Sequence, residues 1–318
     1  NSFDENGGKT TTRSSHYSMA WKTKYEISKK PVCHFACGWL SGTLAAIYDA
    51  PIDTFDVEET NCSALENSNE CSFNVRRRDI NWTTFKSVGV GKLNNHHPQP
   101  IPENHVDYEG VFQAVTSMDI SGNEKGEIPI FGVYLTRMYA NYYNRISFEF
   151  LRQFCDKFDL EGREIATSLL VEAGHVCAFN TFGGIMISPE WDALIKPNLK
   201  TKEDWVHGIT AVVNALGWGR WQVTKVCEKE AEFVLHDDYE SVGYGAMYGK
   251  SEFPVSFLAE GAVAGVMDLI YLGEIQKKPE FTQKFYNKLF KGENSYKVES
   301  LSSQAMGDKI TSFKVFKP

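Results

Sequence analysis

An internal repeat constrains the fold of this chain more than any local motif does. Residues 18–48 align without a gap on residues 241–271, and the alignment resumes between residues 59–75 and 299–315. Apolar and glycine positions are kept in both copies. One structural unit is therefore used twice along the chain.

Three cysteines of the first copy are absent from the second. The matched positions are Cys33 and Ser256, Cys62 and Ser302, and Cys71 and Thr311. Thiolates are ligands that zinc prefers, whereas hydroxyl groups make a poor site for a soft metal. The joint loss of three thiols predicts a metal site in the first copy only.

The composition excludes several classes of protein. The 318 residues are 42% apolar, and a net charge of −8 does not favour binding to nucleic acid. No apolar run approaches the ~20 residues that cross a bilayer, so we expect no transmembrane segment. Seven irregularly spaced cysteines do not predict a disulfide framework in a chain of this length. We therefore expect a cytoplasmic protein with reduced thiols.

The length of the chain suits two domains. The polar, Gly/Ser/Thr-rich residues 1–15 predict a disordered tail, and residues 79–128, which include a proline-rich stretch, predict a linker. The first copy occupies residues 16–78 and the second occupies residues 129–318. The first copy has no counterpart of the helices expected at the start of the second, so we expect it to be partial or truncated.

Hydrophobic patterns predict the elements of the first copy. Residues 16–28 predict a strand, residues 32–48 an amphipathic helix, and residues 52–59 and 72–77 two further strands. The helix carries two glycines on one face in both copies. Because Gly in a helix interior costs ~1 kcal/mol relative to Ala, we expect another element to approach this face closely.

The second copy is more complete. Residues 133–158, 161–187 and 202–216 predict helices, and residues 218–223 and 232–235 predict a hairpin. Helices that precede an antiparallel sheet predict the α+β fold class.

The tail of the first copy resembles a known family. A glycine helix followed by Glu59-x2-Cys62, a polar loop and Cys71-x-Phe73 is similar to the C-terminal signature of the 4-vinyl-reductase, or hydrocarbon-binding, domain family. The repeat makes this chain resemble a tandem member. The family includes aromatic-sensing domains of bacterial regulators and subunits of the vesicle-tethering transport particle (TRAPP). The resemblance implies helices covering an antiparallel sheet around an apolar pocket for a small hydrophobic molecule.

The resemblance also implies a structural zinc ion held by Cys33, Glu59, Cys62 and Cys71. Three thiolates and a carboxylate would saturate a tetrahedral metal and leave no open position for catalysis. Two alternatives stay open: the cysteines are ordinary buried thiols, or Cys37, one helical turn from Cys33, replaces a ligand. The remaining cysteines are interpreted as core thiols. No zinc is expected in the second copy, whose matched residues are Ser256, Glu299, Ser302 and Thr311.

By analogy with the aromatic sensors, a ligand pocket is expected between the helices and the strands of the second copy. The candidate ligand-binding residues are His207, Trp218, Trp221, His236, Tyr239 and Tyr244. Aromatic walls with polar anchors suit a small apolar ligand. The alternative for each residue is plain core packing.

The sequence carries no nucleophile elbow and no phosphate-binding glycine loop, so no catalytic residue is assigned. We predict a non-catalytic binding protein for a small hydrophobic or aromatic molecule. One alternative is an assembly protein that forms a homodimer through its glycine helices. Another is an accessory protein to a reductase or a biosynthetic pathway.

Overall fold

The computed structural model describes residues 2–13, 15–78 and 100–318. The described chain forms two compact units. Unit 1 contains residues 2–78, 120–128 and 134–136, and unit 2 contains residues 100–119, 129–133 and 137–318. Residues 79–99 of the expected linker lie outside the described residues.

Unit 1 places two helices against an antiparallel sheet. Its elements are β1 (Ser2–Asp4), β2 (Gly7–Thr12), α1 (His16–Tyr25), α2 (His34–Ile47), β3 (Phe55–Asn61) and β4 (Cys71–Arg77). The strand order is β1-β2-β4-β3, and every neighbouring pair is antiparallel. The core is small and consists of two apolar clusters, one of which contains the three cysteines.

The N-terminal segment is folded, so the prediction of a disordered tail over residues 1–15 is wrong. It supplies β1 and β2, and β2 pairs with β4 along its whole length. Gly7 makes the turn possible, because its φ of 126° is a conformation that favours glycine. A side chain at Gly7 would also collide with the Val75 carbonyl group. The polar composition reflects an edge hairpin.

The strand predicted over residues 16–28 is a helix instead. Tyr17, Trp21 and Tyr25 are spaced four residues apart, which is the period of one helix face rather than of a strand. Tyr17 and Trp21 pack against the cysteine cluster, while Tyr25 is 64% exposed. The aromatic content suggested a strand, but the spacing follows the helical period.

The remaining described residues form further α-helices and strands. In order they are α3 (Tyr108–Thr116), β5 (Ile128–Ile130), β6 (Val133–Leu135), α4 (Ala140–Cys177), α5 (Gly183–Ile187), α6 (Pro189–Leu194), α7 (Lys202–Ala215), β7 (Arg220–Val226), β8 (Glu230–His236), α8 (Tyr239–Tyr248), α9 (Phe257–Met267), α10 (Gln283–Phe290), β9 (Lys297–Ser302) and β10 (Thr311–Phe316). Asp159, with φ 50° and ψ −129°, kinks α4 at the break expected between two helices. The first of these starts at Ala140 and not at residue 133, because β6 precedes it.

Unit 2 repeats the topology of unit 1. Its sheet has the order β7-β8-β10-β9, and in both units two strands are followed by two helices and then two more strands, with α10 added before β9 in unit 2. The antiparallel sheets and helices confirm the α+β class. Unit 2 adds α3 to α7 and a much larger apolar core.

The strand register corrects the sequence alignment by one residue. Val57 pairs with Val75 as Val298 pairs with Val315, which makes Ser300 the counterpart of Glu59. The residue after the matched bulge is Cys62 in unit 1 and Ser303 in unit 2, not Ser302. The sequence has two adjacent glutamates at this place, and the counterpart of Glu299 is Glu58 rather than Glu59.

The glycine faces of the two repeats have different surroundings. In unit 2, a Cβ on Gly174 of α4 would lie 2.9 Å from the Cα of Gly261 on α9, so the two backbones touch. In unit 1, a Cβ on Gly38 or Gly42 of α2 would meet no atom of the described residues within 4 Å. The predicted close approach is therefore found in the second copy only.

One helical run, Ala140–Ile187, is long and apolar enough to cross a membrane by length and composition alone. Within its most apolar window, 44% of the residues are buried inside the protein. A core helix passes the same test, so the run is weak evidence for a membrane span.

Candidate metal centre and ligand cavity

Four side chains of unit 1 converge on one point. The Sγ atom of Cys33 lies 3.9 Å from that of Cys62 and 3.7 Å from that of Cys71, and the Cys62 and Cys71 sulfurs are 4.0 Å apart. With an oxygen of Glu59, all four ligand atoms lie within 4.8 Å of one another. Zinc–sulfur bonds of ~2.3 Å at tetrahedral angles require sulfurs about 3.8 Å apart. The geometry therefore fits a tetrahedral metal.

The fold brings these ligands together from different elements. Cys33 immediately precedes α2, Glu59 lies on β3, Cys62 follows β3, and Cys71 begins β4. All three cysteines are 0% exposed. A bond to one ion would therefore link a helix start to two neighbouring strands.

The Glu59 carboxylate has one free oxygen at the site. Its Oε2 atom accepts a hydrogen bond of 2.7 Å from the backbone N–H of Cys33. Its Oε1 atom is buried and has no hydrogen-bond partner among the described residues. A buried carboxylate oxygen without a partner is costly, and a metal ion would remove that cost.

The surroundings of Cys71 favour its thiolate form. A hydrogen bond from the Cys33 thiol lowers the pKa of Cys71 to about 5. Donation of that hydrogen bond, together with burial, raises the pKa of Cys33. The backbone N–H of Ser63 supports the Cys71 sulfur at 3.3 Å. Metal ligands must be deprotonated, and a bound cation would extend the thiolate form to all three cysteines.

The other cysteines lie apart from this cluster. Cys37 is half-buried on α2 and does not belong to the group of four. Cys155 and Cys177 are half-buried, whereas Cys227 is exposed, so its interpretation as a core thiol is wrong. Cys227 follows the end of β7, where the chain turns into β8.

Unit 2 has a carboxylate where unit 1 has sulfur. Asp238 stands at the N-cap of α8, the position that Ser15 occupies in α1. Its Oδ2 atom accepts hydrogen bonds from the hydroxyl of Ser256 and, at 3.2 Å, from that of Thr311. Ser241 joins the network 3.0 Å from Ser256. The counterparts of Cys33 and Cys71 are thus bound to a buried anion. Sequence comparison missed Asp238, although the change from Ser15 was a visible signal.

The six predicted ligand-binding residues make several different contacts. Trp218 contacts Trp221 and Tyr239, with ring centroids 6.4 and 6.3 Å apart. The others lie elsewhere: His207 is bound to the Tyr108 hydroxyl at 2.7 Å, His236 to Gln222 at 2.8 Å, and the ring of Tyr244 packs on Phe148. The role of these residues in binding a ligand stays a prediction.

A cavity of 630 Å³ opens in another part of unit 2. It lies between the second half of α4, the start of α9, α10 and β9, and none of the six predicted residues lines it. Its walls include Phe257 and Phe290, and Phe290 stacks on His175 with a centroid distance of 5.3 Å. Burial lowers the pKa of His175 to about 4, so this ring is neutral at pH 7.

Two polar groups of the cavity have no partner among the described residues. The hydroxyl group of Ser300 is buried and makes no hydrogen bond there. The Glu260 carboxylate forms neither a hydrogen bond nor an ion pair with the described chain, and burial raises its pKa to about 7. Ser300 is the counterpart of Glu59, and the repeat offset from Cys33 to Ser256 places Glu260 at the position of Cys37.

The solved structures that resemble this chain include a sensory domain and a trafficking subunit. The phenol-responsive sensory domain of the transcription activator PoxR, crystallised with phenol, has a TM-score of 0.46 at 12% identity, over 66% of this chain and 89% of that chain. A trafficking protein particle complex subunit 3 from Naegleria fowleri, covalently bound to palmitic acid, has a TM-score of 0.36 at 11% identity, over 56% of this chain and 95% of that chain.

These are the two kinds of relative that the sequence resemblance names. At these identities and TM-scores the likeness carries no conclusion about a ligand. No family model and no curated protein matches the sequence.

Proposed function

We propose that this chain is a non-catalytic binding protein for a small, largely apolar molecule, with a structural zinc ion in unit 1. The observation that carries the proposal is the convergence of three buried sulfurs, 3.7–4.0 Å apart, with the orphaned oxygen of Glu59. The cavity of unit 2 supplies the place for the molecule.

Zinc is favoured over other metals by the donor set. Three thiolates suit a soft or borderline metal, whereas calcium and magnesium prefer oxygen ligands. Four protein donors fill a tetrahedron, so the ion would hold α2 against β3 and β4 without presenting an open position. Three reduced thiols also suit the cytoplasm, which the proposal includes as the location.

The binding role rests on the cavity's size and walls. Its 630 Å³ falls within the range of about 300–1,000 Å³ that is typical of small-molecule sites. Aromatic rings form part of the wall, and the few polar groups without partners would orient a ligand.

Native mass spectrometry of the purified full chain tests both parts at once. We expect one zinc ion per chain and a small molecule that copurifies or binds saturably. Copurified nucleic acid, or a chain that takes up neither metal nor any apolar probe, would contradict the proposal.

A second candidate function is assembly into a homodimer through α2. Its support is the face of Gly38 and Gly42, which is open among the described residues although the equivalent face in unit 2 is covered by a helix. Trp39 on the same helix is 62% exposed. Sedimentation velocity of the full chain and of a Trp39→Lys variant tests this function. A dimer that the variant dissociates supports it, and a monomer at high micromolar concentration excludes it.

A further inference from the structure

The cavity of unit 2 contains the carboxylate of Glu260, which has no cationic partner among the described residues. We propose that this cavity binds an organic amine, with its apolar body against the aromatic wall and its ammonium group paired with Glu260. The inference rests on the proposed function, since it names the ligand class for the same cavity.

The charged groups of the cavity wall divide into paired and unpaired ones. Lys291 forms an ion pair of 2.5 Å with Glu172. Arg163 lies over the ring of Phe253, 5.3 Å from its centroid. Neither cation is paired with Glu260. The wall holds three carboxylates, Glu164, Glu172 and Glu260, against these two cations, and this excess of negative charge favours a cationic ligand over a carboxylate.

Glu260 is held in the wall at a cost that a ligand cation would offset. It lies on the first turns of α9, and α9 is otherwise buried along most of its length. An ionised carboxylate that loses water without gaining a partner is destabilised, which is why burial raises its pKa to about 7. An ammonium group in contact would restore the charged form.

One further group points to a bound molecule in the same cavity. Ser300 lines the cavity, and its hydroxyl is buried without a hydrogen-bond partner among the described residues. Buried hydroxyls are almost always hydrogen-bonded, so an unpaired one in a cavity wall marks where a ligand's polar group would sit.

The aromatic wall suits the rest of such a ligand. The rings of His175 and Phe290 are stacked, and the His175 ring is neutral at pH 7 and does not repel a cation. Aromatic faces attract ammonium groups. The cavity thus combines a surface for an apolar chain or ring with one anionic end.

The test compares three probes that differ only in their polar group, with isothermal titration calorimetry on the full chain at pH 8. The probes are 4-phenylbutylamine, 4-phenylbutanol and 4-phenylbutyrate. A charge-assisted hydrogen bond gives about a tenfold or greater gain, so the amine should bind at least ~10-fold more tightly than the alcohol. The carboxylate should bind most weakly.

Two variants locate the effect. Glu260→Gln keeps the shape of the side chain and should remove the preference for the amine while leaving alcohol binding unchanged. Glu161→Gln makes the same change on an exposed carboxylate of α4 outside the cavity and should preserve the preference. Circular dichroism confirms that each variant is folded.

The wild-type comparison needs no variant, so the inference can fail even if Glu260→Gln does not fold. Equal binding of amine and alcohol, or tightest binding of the carboxylate, would overturn the amine and leave the proposed binding function intact. A preference that persists in Glu260→Gln would overturn the role of Glu260. No binding of any probe would overturn the inference and the binding function together.

Discussion

The two units have the same strand order but differ in what occupies the point where helices meet sheet. In unit 1 this point holds Cys33, Cys62 and Cys71 with a buried glutamate oxygen. In unit 2 it holds Asp238, which accepts hydrogen bonds from the hydroxyls that replace two of the cysteines. The same point of the fold therefore holds a candidate metal site in unit 1 and a buried, hydrogen-bonded carboxylate in unit 2.

The difference follows the size of the two cores. Unit 1 has two helices and small apolar clusters, whereas unit 2 buries α9 beneath α4 in a large core. Small domains bury little apolar surface, and many are stabilised by a disulfide or a metal. The unit with the smaller core is the one with the candidate metal ligands.

The largest effect is expected from removing a ligand in unit 1. Cys71→Ser should abolish zinc binding and unfold unit 1, because structural zinc contributes on the order of 10 kcal/mol to small domains. Elemental analysis gives the zinc content, and hydrogen exchange reports each unit separately.

The control is Cys227→Ser, which changes an exposed thiol. It should keep one zinc ion per chain and the protection of unit 1. Full zinc retention by Cys71→Ser would show that Cys71 is not a ligand.

The matched glycines should respond with opposite signs. Gly261→Ala places a methyl group against the backbone of α4, and we expect it to destabilise unit 2 by about 3 kcal/mol. Gly38→Ala meets open space and should stabilise unit 1 by up to ~1 kcal/mol through helix propensity. Urea denaturation followed by hydrogen exchange measures both. A similar loss in both variants would mean that α2 is also covered in solution.

Part of this contrast can be predicted from the sequence, and the errors of the prediction have physical causes. Strong periodicity correctly predicted α2, α7, the β7–β8 hairpin and the strands that carry the ligands. The cysteine cluster was predicted from the coordinated loss of thiols, and its side chains do converge. The aromatic content of residues 16–28 favours a strand, whereas the spacing of Tyr17, Trp21 and Tyr25 follows the helical period that the structure shows.

The cavity could not be predicted in the same way. Its wall joins Arg163 to Ser300 across several elements, and only tertiary packing brings them together. Trp218 and Trp221 pack with one another in the core of unit 2, and their role in binding a ligand stays a prediction. Aromatic residues near a strand do not by themselves distinguish a ligand wall from a core.

The carboxylate of unit 2 should matter more than its counterpart in unit 1. Asp238→Asn places an amide among hydroxyl groups that donate to the carboxylate, and we expect a loss of about 2 kcal/mol in the free energy of unfolding of unit 2. Ser15→Ala removes a contact of 3.1 Å to Cys33 and should cost about 1 kcal/mol or less when zinc is bound. Equal losses would contradict the view that Asp238 takes the place of the metal.

The two units should also differ in how their stability depends on pH. In unit 2, burial raises the pKa of Glu260 to about 7 and that of Asp268 to about 8, so the native state retains protons that the unfolded chain has released. Unit 2 should therefore lose stability as pH rises from about 5 to 8, by about 1–2 kcal/mol for Glu260. Unit 1 should gain stability over the same pH range, because fewer protons compete with zinc for the thiolates at higher pH.

Denaturation of the full chain between pH 5 and 8 measures the two slopes. Glu260→Gln should reduce the slope of unit 2 and leave the part due to Asp268, while Glu161→Gln should leave the whole slope unchanged. Parallel slopes in the two units would show that no proton-sensitive metal site stabilises unit 1.

Zinc K-edge X-ray absorption on the full chain tests most directly whether the four side chains of unit 1 bind a metal ion. We expect one zinc ion per chain, with three sulfur atoms at ~2.3 Å and one oxygen at ~2.0 Å. A shell of nitrogen and oxygen alone, or a chain that binds no zinc, would contradict the account.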